Sequence, residues 1–477
     1  MLMLKKTALL LVTLALLLAI LFSYFIWNDL AELSLFPIAL LLIYFAIFQT
    51  EKLFLSLAFL TPFSINIEEF TKSFGLFIPS EPLLFGLMLI LLFFQFRTPF
   101  VDKQIWKHPI IISVLVFISW MFVTAITSSH VLVSFKYILS KLWFIIPLLF
   151  FGTHFFKKQA NRNWFIRLFI IATSCTIIYT LIHHSTYDFG EKAGHWVMSP
   201  FFKDHTIYGA IIAMIIPLLL AWYFSQKHAP LIQISLIAMI IIVFLGLYFS
   251  YTRAAWLSVA IAIIVGLIIH FKVNYKILLS LAAIAFIILF FKWDAIQMEL
   301  ARNTHEHTTE AFDERIQSAA NVTTDASNLE RINRWNCALS MFQQRPVFGY
   351  GPGTYAFEYA PFQEAKNLTI ISTNFGDMGN AHSEYLGALA EMGMIGLLLF
   401  IAMVAAIFYS AIQLYYNWPA EDHKTRIIIF GMILSLATYF SHAFLNNFLD
   451  TDKAAVPIWA MCSIIIVLDL ERRKRMQ

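Results

Sequence analysis

The sequence predicts an all-α polytopic membrane protein with about fourteen transmembrane helices (twelve to fourteen) and one long helical loop outside the membrane. Two observations carry this prediction. Apolar residues make up 60% of the 477 residues and charged residues only 13%, whereas soluble domains are about a quarter charged. In addition, runs of about 20 apolar residues, each long enough to cross a bilayer as a helix, follow one another along the chain.

The apolar runs fall into two groups on either side of a polar segment of about 90 residues. We expect an N-terminal bundle of about 11 spans in 1–292, a loop domain with helices in 293–384, and three C-terminal spans in 385–477. The predicted spans are 7–27, 32–50, 52–63, 79–97, 109–127, 135–156, 163–183, 205–225, 230–250, 254–271, 274–292, 385–414, 425–446 and 454–471. The weakest is 52–63, which is short and ends at Thr61-Pro62. A re-entrant half-helix there would leave thirteen spans.

Lysine and arginine indicate the orientation, because they concentrate in inner loops. With fourteen spans and the N-terminus inside, the inner turns hold 19 of the 33 basic residues, the outer turns 7 and the long loop 7. We therefore expect both termini inside and residues 293–384 outside. Residues 1–27 should remain as an uncleaved first span, since no small-residue cleavage site follows their long apolar run.

Several other functions are disfavoured. The net charge of +4 is mostly topological and forms no basic patch interleaved with aromatic residues, so no nucleic-acid partner is expected. Three cysteines are too few for a disulfide framework. The group at 305–310, His305-Glu306-His307 with Glu310, lacks a closed ligand set, so no metal is expected. Gly349-x-Gly351-x-Gly353 has no strand before it, which favours a turn over a nucleotide-binding loop.

The outer loop contains a predicted helix from Ser327 to about Gln344. Its apolar residues recur at helical spacing and form one stripe: Ile332, Trp335, Leu339 and Phe342. On a helix, Arg331 flanks this stripe and Arg334 points away from it. Arg331 is therefore the arginine better placed to face an enclosed site.

His382 lies where the polar loop runs back into apolar sequence. A second helix is expected to start near Asn380, which would put His382 in its first turn. That position lowers the affinity of an imidazole for a proton, and a neutral imidazole suits a general base. For an isolated histidine, merely capping or packing against a helix is the commoner role. We interpret Gly393 and Gly396, farther along, as small residues that let another helix approach closely.

Arg253 lies at the outer end of a predicted span, next to Trp256. An interfacial anchor is the ordinary role of such an arginine, but anchoring arginines are favoured on the inner side and this one faces out. Two outer arginines and a histidine would form a site for a diphosphate, because guanidinium groups match phosphate oxygens bidentately.

The spacing of these residues resembles a known family. His382-Ser383, nine residues and then Gly393-x-x-Gly396 match the pattern His-[Asn/Ser/Gln]-x9-Gly-x-x-Gly of the bacterial O-antigen ligase family. Its superfamily also contains O-antigen polymerases and protein O-oligosaccharyltransferases. Three further matches follow the family's order: Arg253–Trp256, Arg331-x3-Trp335 and Pro346-x-x-Gly349-x-Gly351. The resemblance covers roughly residues 200–400, and the usual twelve spans of the ligases are fewer than the fourteen expected here.

The resemblance implies an inverting, metal-independent glycosyltransferase without cofactors, located in the bacterial inner membrane. The donor would be a glycan linked to undecaprenyl diphosphate. His382 would be the general base, and Arg253 and Arg331, with Arg334 next to it, would bind the diphosphate. Trp335, Gly349, Gly351, Gly393 and Gly396 would be structural members of the motif.

The acceptor is left open by the sequence. Lipid A–core, a second lipid-linked glycan (an O-antigen or exopolysaccharide polymerase) and protein Ser/Thr would all need the same three residues. The long outer loop favours the ligase or the protein transferase slightly over the polymerase. A flippase for lipid-linked glycans is the alternative from another class. It would call for internal repeats and ionisable residues at mid-membrane, so the enzyme is favoured.

Overall fold

The computed structural model describes residues 48–68, 75–274, 326–363 and 379–476, with single positions between 24 and 45 and between 276 and 292. By its internal contacts the chain divides into 1–56 and 57–477. The description below concerns the second unit. The predicted spans 7–27, 32–50 and 274–292 and the cluster His305-Glu306-His307 with Glu310 lie outside the described residues or on isolated positions.

The described chain is almost wholly helical. Its helices are α1 Thr50–Phe63, α2 Ser80–Arg97, α3 Pro109–Ile126, α4 Val131–Phe155, α5 Gln159–Ser185, α6 Glu191–Gly194, α7 His205–Phe224, α8 Pro230–Tyr248, α9 Arg253–His270, α10 Ala326–Gln344, α11 Tyr355–Glu358, α12 Glu384–Asn417, α13 His423–His442 and α14 Asp452–Met476. Short 3-10 turns lie at Lys103–Lys107 and Ala360–Phe362. Strands β1 Ile65–Asn66 and β2 Phe77–Ile78 form one antiparallel pair, with Ile65 opposite Ile78.

Ten helices among the described residues are long and apolar enough to cross a membrane, namely α2 to α5, α7 to α9 and α12 to α14. They coincide with ten of the predicted spans, so the protein is an all-α, multi-pass membrane protein. The count of fourteen is not confirmed. The predicted span 52–63 is part of α1, whose 14 residues would rise only about 21 Å. That is too short for a bilayer core of about 30 Å.

Helices α7 and α14 are the most deeply buried of the described spans. Helix α7 packs against both α13 and α9, and most of its side chains are buried. Asp204 caps α7, its Oδ1 accepting from the backbone N of Thr206 at 2.8 Å and of Ile207 at 3.0 Å. Helix α14 is also buried over most of its length, whereas α8 lies at the periphery with many exposed apolar side chains.

Contacts between helix ends fall into two sets. On one side, His108 faces Asp469 at 3.4 Å and Arg162 binds Glu471 at 2.6 Å, close to the basic C-terminal residues of α14. On the other side, Ser129 N donates to Tyr350 O at 2.9 Å. This second side joins segments that are distant in sequence, and these segments carry the candidate site.

Candidate functional site

A loop after α10 and a break in α12 hold one another in place. The 34 residues of α12 would be about 50 Å long if straight, far more than a bilayer core requires. The helix breaks at Gly393, where φ is 69° and ψ is −170°. The orphaned backbone is satisfied by the loop, since Met394 N donates to Pro346 O at 2.9 Å and Gly351 N to Glu391 O at 2.8 Å.

Glycine is required at this junction. Gly349 and Gly393 both have positive φ, and a Cβ at Gly349 would collide with the Glu391 backbone, as one at Gly393 would with the Val347 carbonyl. A Cβ at Gly351 would meet Ser128 and Ser134. The prediction of a turn at 349–353 is confirmed by three positive φ values. The prediction that Gly393 and Gly396 admit another helix is wrong: Gly393 meets the loop, and Gly396 faces Met392 and Ala388 of its own broken helix.

His382 stands just before α12 and not inside it. The helix begins at Glu384, and its cap is Ser383, whose Oγ accepts from Leu386 N at 3.3 Å. The predicted start near Asn380 is therefore wrong. Asn380 Oδ1 accepts instead from His382 N at 3.0 Å, a local Asx turn, and His382 has a φ of 46°.

The imidazole of His382 is nevertheless kept neutral, for a different reason. Burial, followed by the positive charges of Arg331 and Arg334, lowers the pKa of His382 from about 6.5 to about 4. His382 thus has the lowered pKa that was predicted for a general base, but a position in the first turn of a helix is not the cause. The structure brings Arg331, Arg334 and His382 close enough together for their charges to interact.

A chain of polar side chains orients His382. The side chain of Asn446 acts on the His382 ring and partly opposes the lowering of its pKa, and its Nδ2 lies 3.0 Å from Nε2 of His442. Since the amide nitrogen faces His442, the amide oxygen remains for His382. Both Asn446 and His442 are buried. With the Asn446 oxygen toward one nitrogen of the His382 ring, the other nitrogen is left for a substrate.

Arg253 joins the site indirectly. It is the first residue of α9, and the ring of His442 lies beside the backbone of Ala254. The start of α9 is therefore linked to His382 through His442 and Asn446. The positive end of the α9 dipole lies at this point, which favours an anionic group nearby.

Arg334 is buried between Glu330 and Tyr359, which the sequence did not predict. It is only 3% exposed, its Nε donates to Glu330 Oε1 at 2.6 Å, and its guanidinium lies 3.9 Å from the Tyr359 ring centroid. Burial alone would lower the pKa of Arg334, but the Glu330 carboxylate raises it, so the group stays charged. The prediction that Arg334 points away from the enclosed face is wrong.

The buried face of α10 is in fact Glu330, Asn333, Arg334, Cys337, Ala338 and Met341. The predicted stripe of Ile332, Trp335, Leu339 and Phe342 is half-buried or exposed. An ion pair and two tyrosine rings, Tyr355 and Tyr359, replace apolar contacts there, which is why an apolar pattern selected the wrong side. Trp335 still reaches the site, because its Nε1 donates to the His382 carbonyl at 3.4 Å. Arg331 is half-buried at the edge of this face.

An apolar groove runs along the outside of α12 to the histidine segment. It has a volume of about 580 Å³. Its lining residues are Trp335, Ser383, Tyr385, Leu386, Leu397, Ile401, Val404, Ala405 and Phe444. The groove thus connects the membrane-facing part of α12 with the two neighbours of His382, Trp335 and Ser383.

No group of three or more metal-ligating side chains lies close enough to hold a metal ion in the described part of the chain. The three cysteines, Cys175, Cys337 and Cys462, are free thiols.

Part of the chain is similar to known proteins. Residues 237–401 match the family described as O-antigen ligase. An uncharacterized protein of Haemophilus influenzae is 23% identical over 195 residues, which is 40% of this chain and 45% of that protein. The chain therefore spans less than half the length of this relative. The matched segment includes Arg253, Arg331, His382 and the break at Gly393, and over this segment the chain is similar to the O-antigen ligase family.

Proposed function

We propose that this protein is an inverting glycosyltransferase that moves a glycan from undecaprenyl diphosphate to an acceptor hydroxyl, with His382 as the general base. The observation that carries the proposal is a neutral, oriented histidine next to Arg331 within the O-antigen ligase domain. The membrane glycosyltransferase chemistry comes from the family. The donor, the residue roles and the acceptor are our inference.

The proposed reaction needs one base and a cationic site for the leaving group. His382 removes the proton of the acceptor hydroxyl, and the oxygen attacks the anomeric carbon. The bond from that carbon to the diphosphate breaks, and the diphosphate leaves with the electron pair. Direct displacement inverts the anomeric centre. Arg331 and the start of α9 at Arg253 stabilise the charge that develops on the leaving group.

The two arginines of α10 contribute differently to this step. Arg334 is engaged by Glu330 and Tyr359, so its main effects are to hold α10 in place and to keep His382 unprotonated. Arg331 lies at the edge of the buried face and is the better contact for a diphosphate. The apolar groove along α12 suits the polyprenyl chain, since it ends at the neighbours of His382.

We further propose that the site faces the periplasm from the bacterial inner membrane, with both termini in the cytoplasm. The basic C-terminal end of α14 lies on the side opposite the site, in agreement with the inner-side preference of lysine and arginine. Lipid A–core is the favoured acceptor. A second lipid-linked glycan or a protein Ser/Thr would use the same residues.

The test is glycan transfer by the full chain reconstituted in lipid. Undecaprenyl-diphosphate glycan would be combined separately with lipid A–core, with a second donor molecule and with a Ser-rich periplasmic protein. We expect transfer to one acceptor, and His382→Ala to slow it about 10²-fold or more. His423→Ala removes an exposed histidine at the opposite helix end and should leave the rate unchanged. Unaltered transfer by His382→Ala would refute the role of His382, and movement of the donor across the bilayer without transfer would establish a flippase.

A further inference from the structure

A second cavity, with several charged and polar side chains in a largely apolar wall, lies next to the segment that carries His382. It has a volume of about 260 Å³ and is enclosed by α3, α4, α12, α14 and the turn 447–450. Asn380, Ala381, Ser383 and Glu384 line it. The cavity is thus built from the same two segments, 380–384 and 446–450, that position His382, although His382 is not part of its wall.

Lys141 of α4 points into this cavity without the partners that a buried lysine normally has. It is 8% exposed, and its ammonium lies 5.0 Å from the ring centroid of Tyr137. Lys141 forms no hydrogen bond or ion pair with the described residues. Its positive charge interacts at longer range with the carboxyl groups of Glu384 and Glu391. An ammonium taken out of water in this way is costly unless a ligand or water completes its contacts.

Two residues of the wall, Trp459 and Asn447, also carry polar atoms that lack hydrogen-bond partners, although neither atom is accessible to water in this structure. Trp459 is 3% exposed, and its indole Nε1 has no acceptor. Oδ1 of Asn447 is buried and has no donor. Buried polar atoms are rarely left unsatisfied, and each calls for an explanation such as a bound molecule.

The acidic residues in the wall are held rigidly. Glu384 Oε1 accepts from Tyr439 OH at 3.0 Å and from Leu449 N at 2.7 Å. Glu391 Oε1 accepts from Tyr355 N at 3.0 Å. The Oε1 atoms of Glu384 and Glu391 offer acceptors in fixed positions, Asp450 adds a third carboxylate to the wall, and Lys141 offers a donor.

We propose that this cavity is a sugar subsite, which binds one residue of a glycan taking part in the transfer. This inference rests on the proposed function. A ligand that pairs with the polar groups of the lining residues must both donate and accept several hydrogen bonds in a small volume, as a polyhydroxylated ring does. The rings of Tyr137 and Trp459 supply the apolar surface for its C–H faces. Pockets for drug-sized ligands measure about 300–1,000 Å³, so a smaller cavity suits a single sugar ring.

The bound sugar belongs either to the donor or to the acceptor, and a binding experiment distinguishes them. The full chain in lipid nanodiscs would be titrated with two lipid-free probes: the oligosaccharide released from the donor, and the oligosaccharide portion of the acceptor. We expect one probe to bind, and Lys141→Met and Trp459→Phe each to weaken its binding about tenfold or more. In transfer assays the KM for the substrate carrying the same glycan should rise in parallel.

The matched control is Lys136→Met, which removes an exposed lysine one turn earlier on α4 and should change neither binding nor KM. Thermal unfolding of each variant would verify that it folds. If neither probe binds the wild-type protein, or if Lys141→Met and Trp459→Phe bind as the wild type does, the subsite is refuted. A wild-type protein that binds a probe in this way but transfers no glycan would overturn the proposed function and retain the subsite.

Discussion

Two lysines are buried among the residues that the structure describes, and their surroundings differ completely. Lys453 is 1% exposed and donates to Thr61 O at 2.6 Å and Ser64 O at 2.7 Å. It also binds the Ser64 hydroxyl and faces Asp452 at 3.6 Å. Lys141, 8% exposed, faces a cavity with its ammonium 5.0 Å from the Tyr137 ring centroid, and it forms no hydrogen bond or ion pair with the described residues.

The difference separates a structural charge from one available to a ligand. The surroundings of Lys453 join α1, α14 and, through the bond of Ser80 to Asp452, the start of α2. The protein itself satisfies that ammonium, so nothing remains for a substrate. At Lys141 the protein supplies the burial but not the hydrogen bonds. We regard a buried polar group as a candidate for binding only in the second case.

The largest expected effect is the loss of stability when Lys453 is replaced. Lys453→Met leaves the buried Asp452 carboxylate without its cation, so the free energy of unfolding should fall by about 3–5 kcal/mol. Lys141→Met removes a buried charge that has no hydrogen bonds, so stability should stay unchanged or rise. Denaturant unfolding of both variants in the same detergent measures the difference. Equal losses in the two variants would remove the distinction between the lysines.

A smaller effect is expected at the junction that holds the site together. Gly393→Ala places a Cβ against the Val347 carbonyl at a residue with positive φ, so we expect a loss of about 1–3 kcal/mol and displacement of the loop 346–351. Gly86→Ala is the matched control, because no atom lies within 4 Å of a Cβ there. That change should be neutral or stabilising by up to about 1 kcal/mol. A Gly393→Ala protein as stable as Gly86→Ala would show that the break in α12 does not require glycine.

Much of the fold follows from the sequence because hydropathy directly reports which segments cross the membrane. The ten spans among the described residues and the end of α10 at Gln344 were predictable in this way. The buried face of α10 was not, since Arg334 is buried by an ion pair and by Tyr359. Neither partner belongs to an apolar pattern.

The site itself was only partly predictable. Local spacing pointed to His382 and Arg331, but Asn446, which acts on the His382 ring, is separated from it by two membrane-spanning helices, α12 and α13. Lys141 and Glu391 are even farther apart in sequence and line the same cavity because α4 and α12 both pack against α14. One signal was available: an ionisable residue such as Lys141 inside a predicted span is expensive and usually functional. Counting it only as a topological charge missed the cavity.

The pH dependence of transfer tests the central claim, that His382 acts as a neutral base whose pKa is lowered by burial and by Arg331. The base must be unprotonated, so kcat/KM should stay level from pH 8 down to about 5 and fall as the pH drops through about 4. Arg331→Met removes a cation that disfavours protonation, so the fall should begin at a higher pH, whatever the variant does to the rate. Initial rates of wild type and Arg331→Met across this range are the measurement. A wild-type fall centred near 6.5, or an unchanged midpoint in Arg331→Met, would contradict the claim.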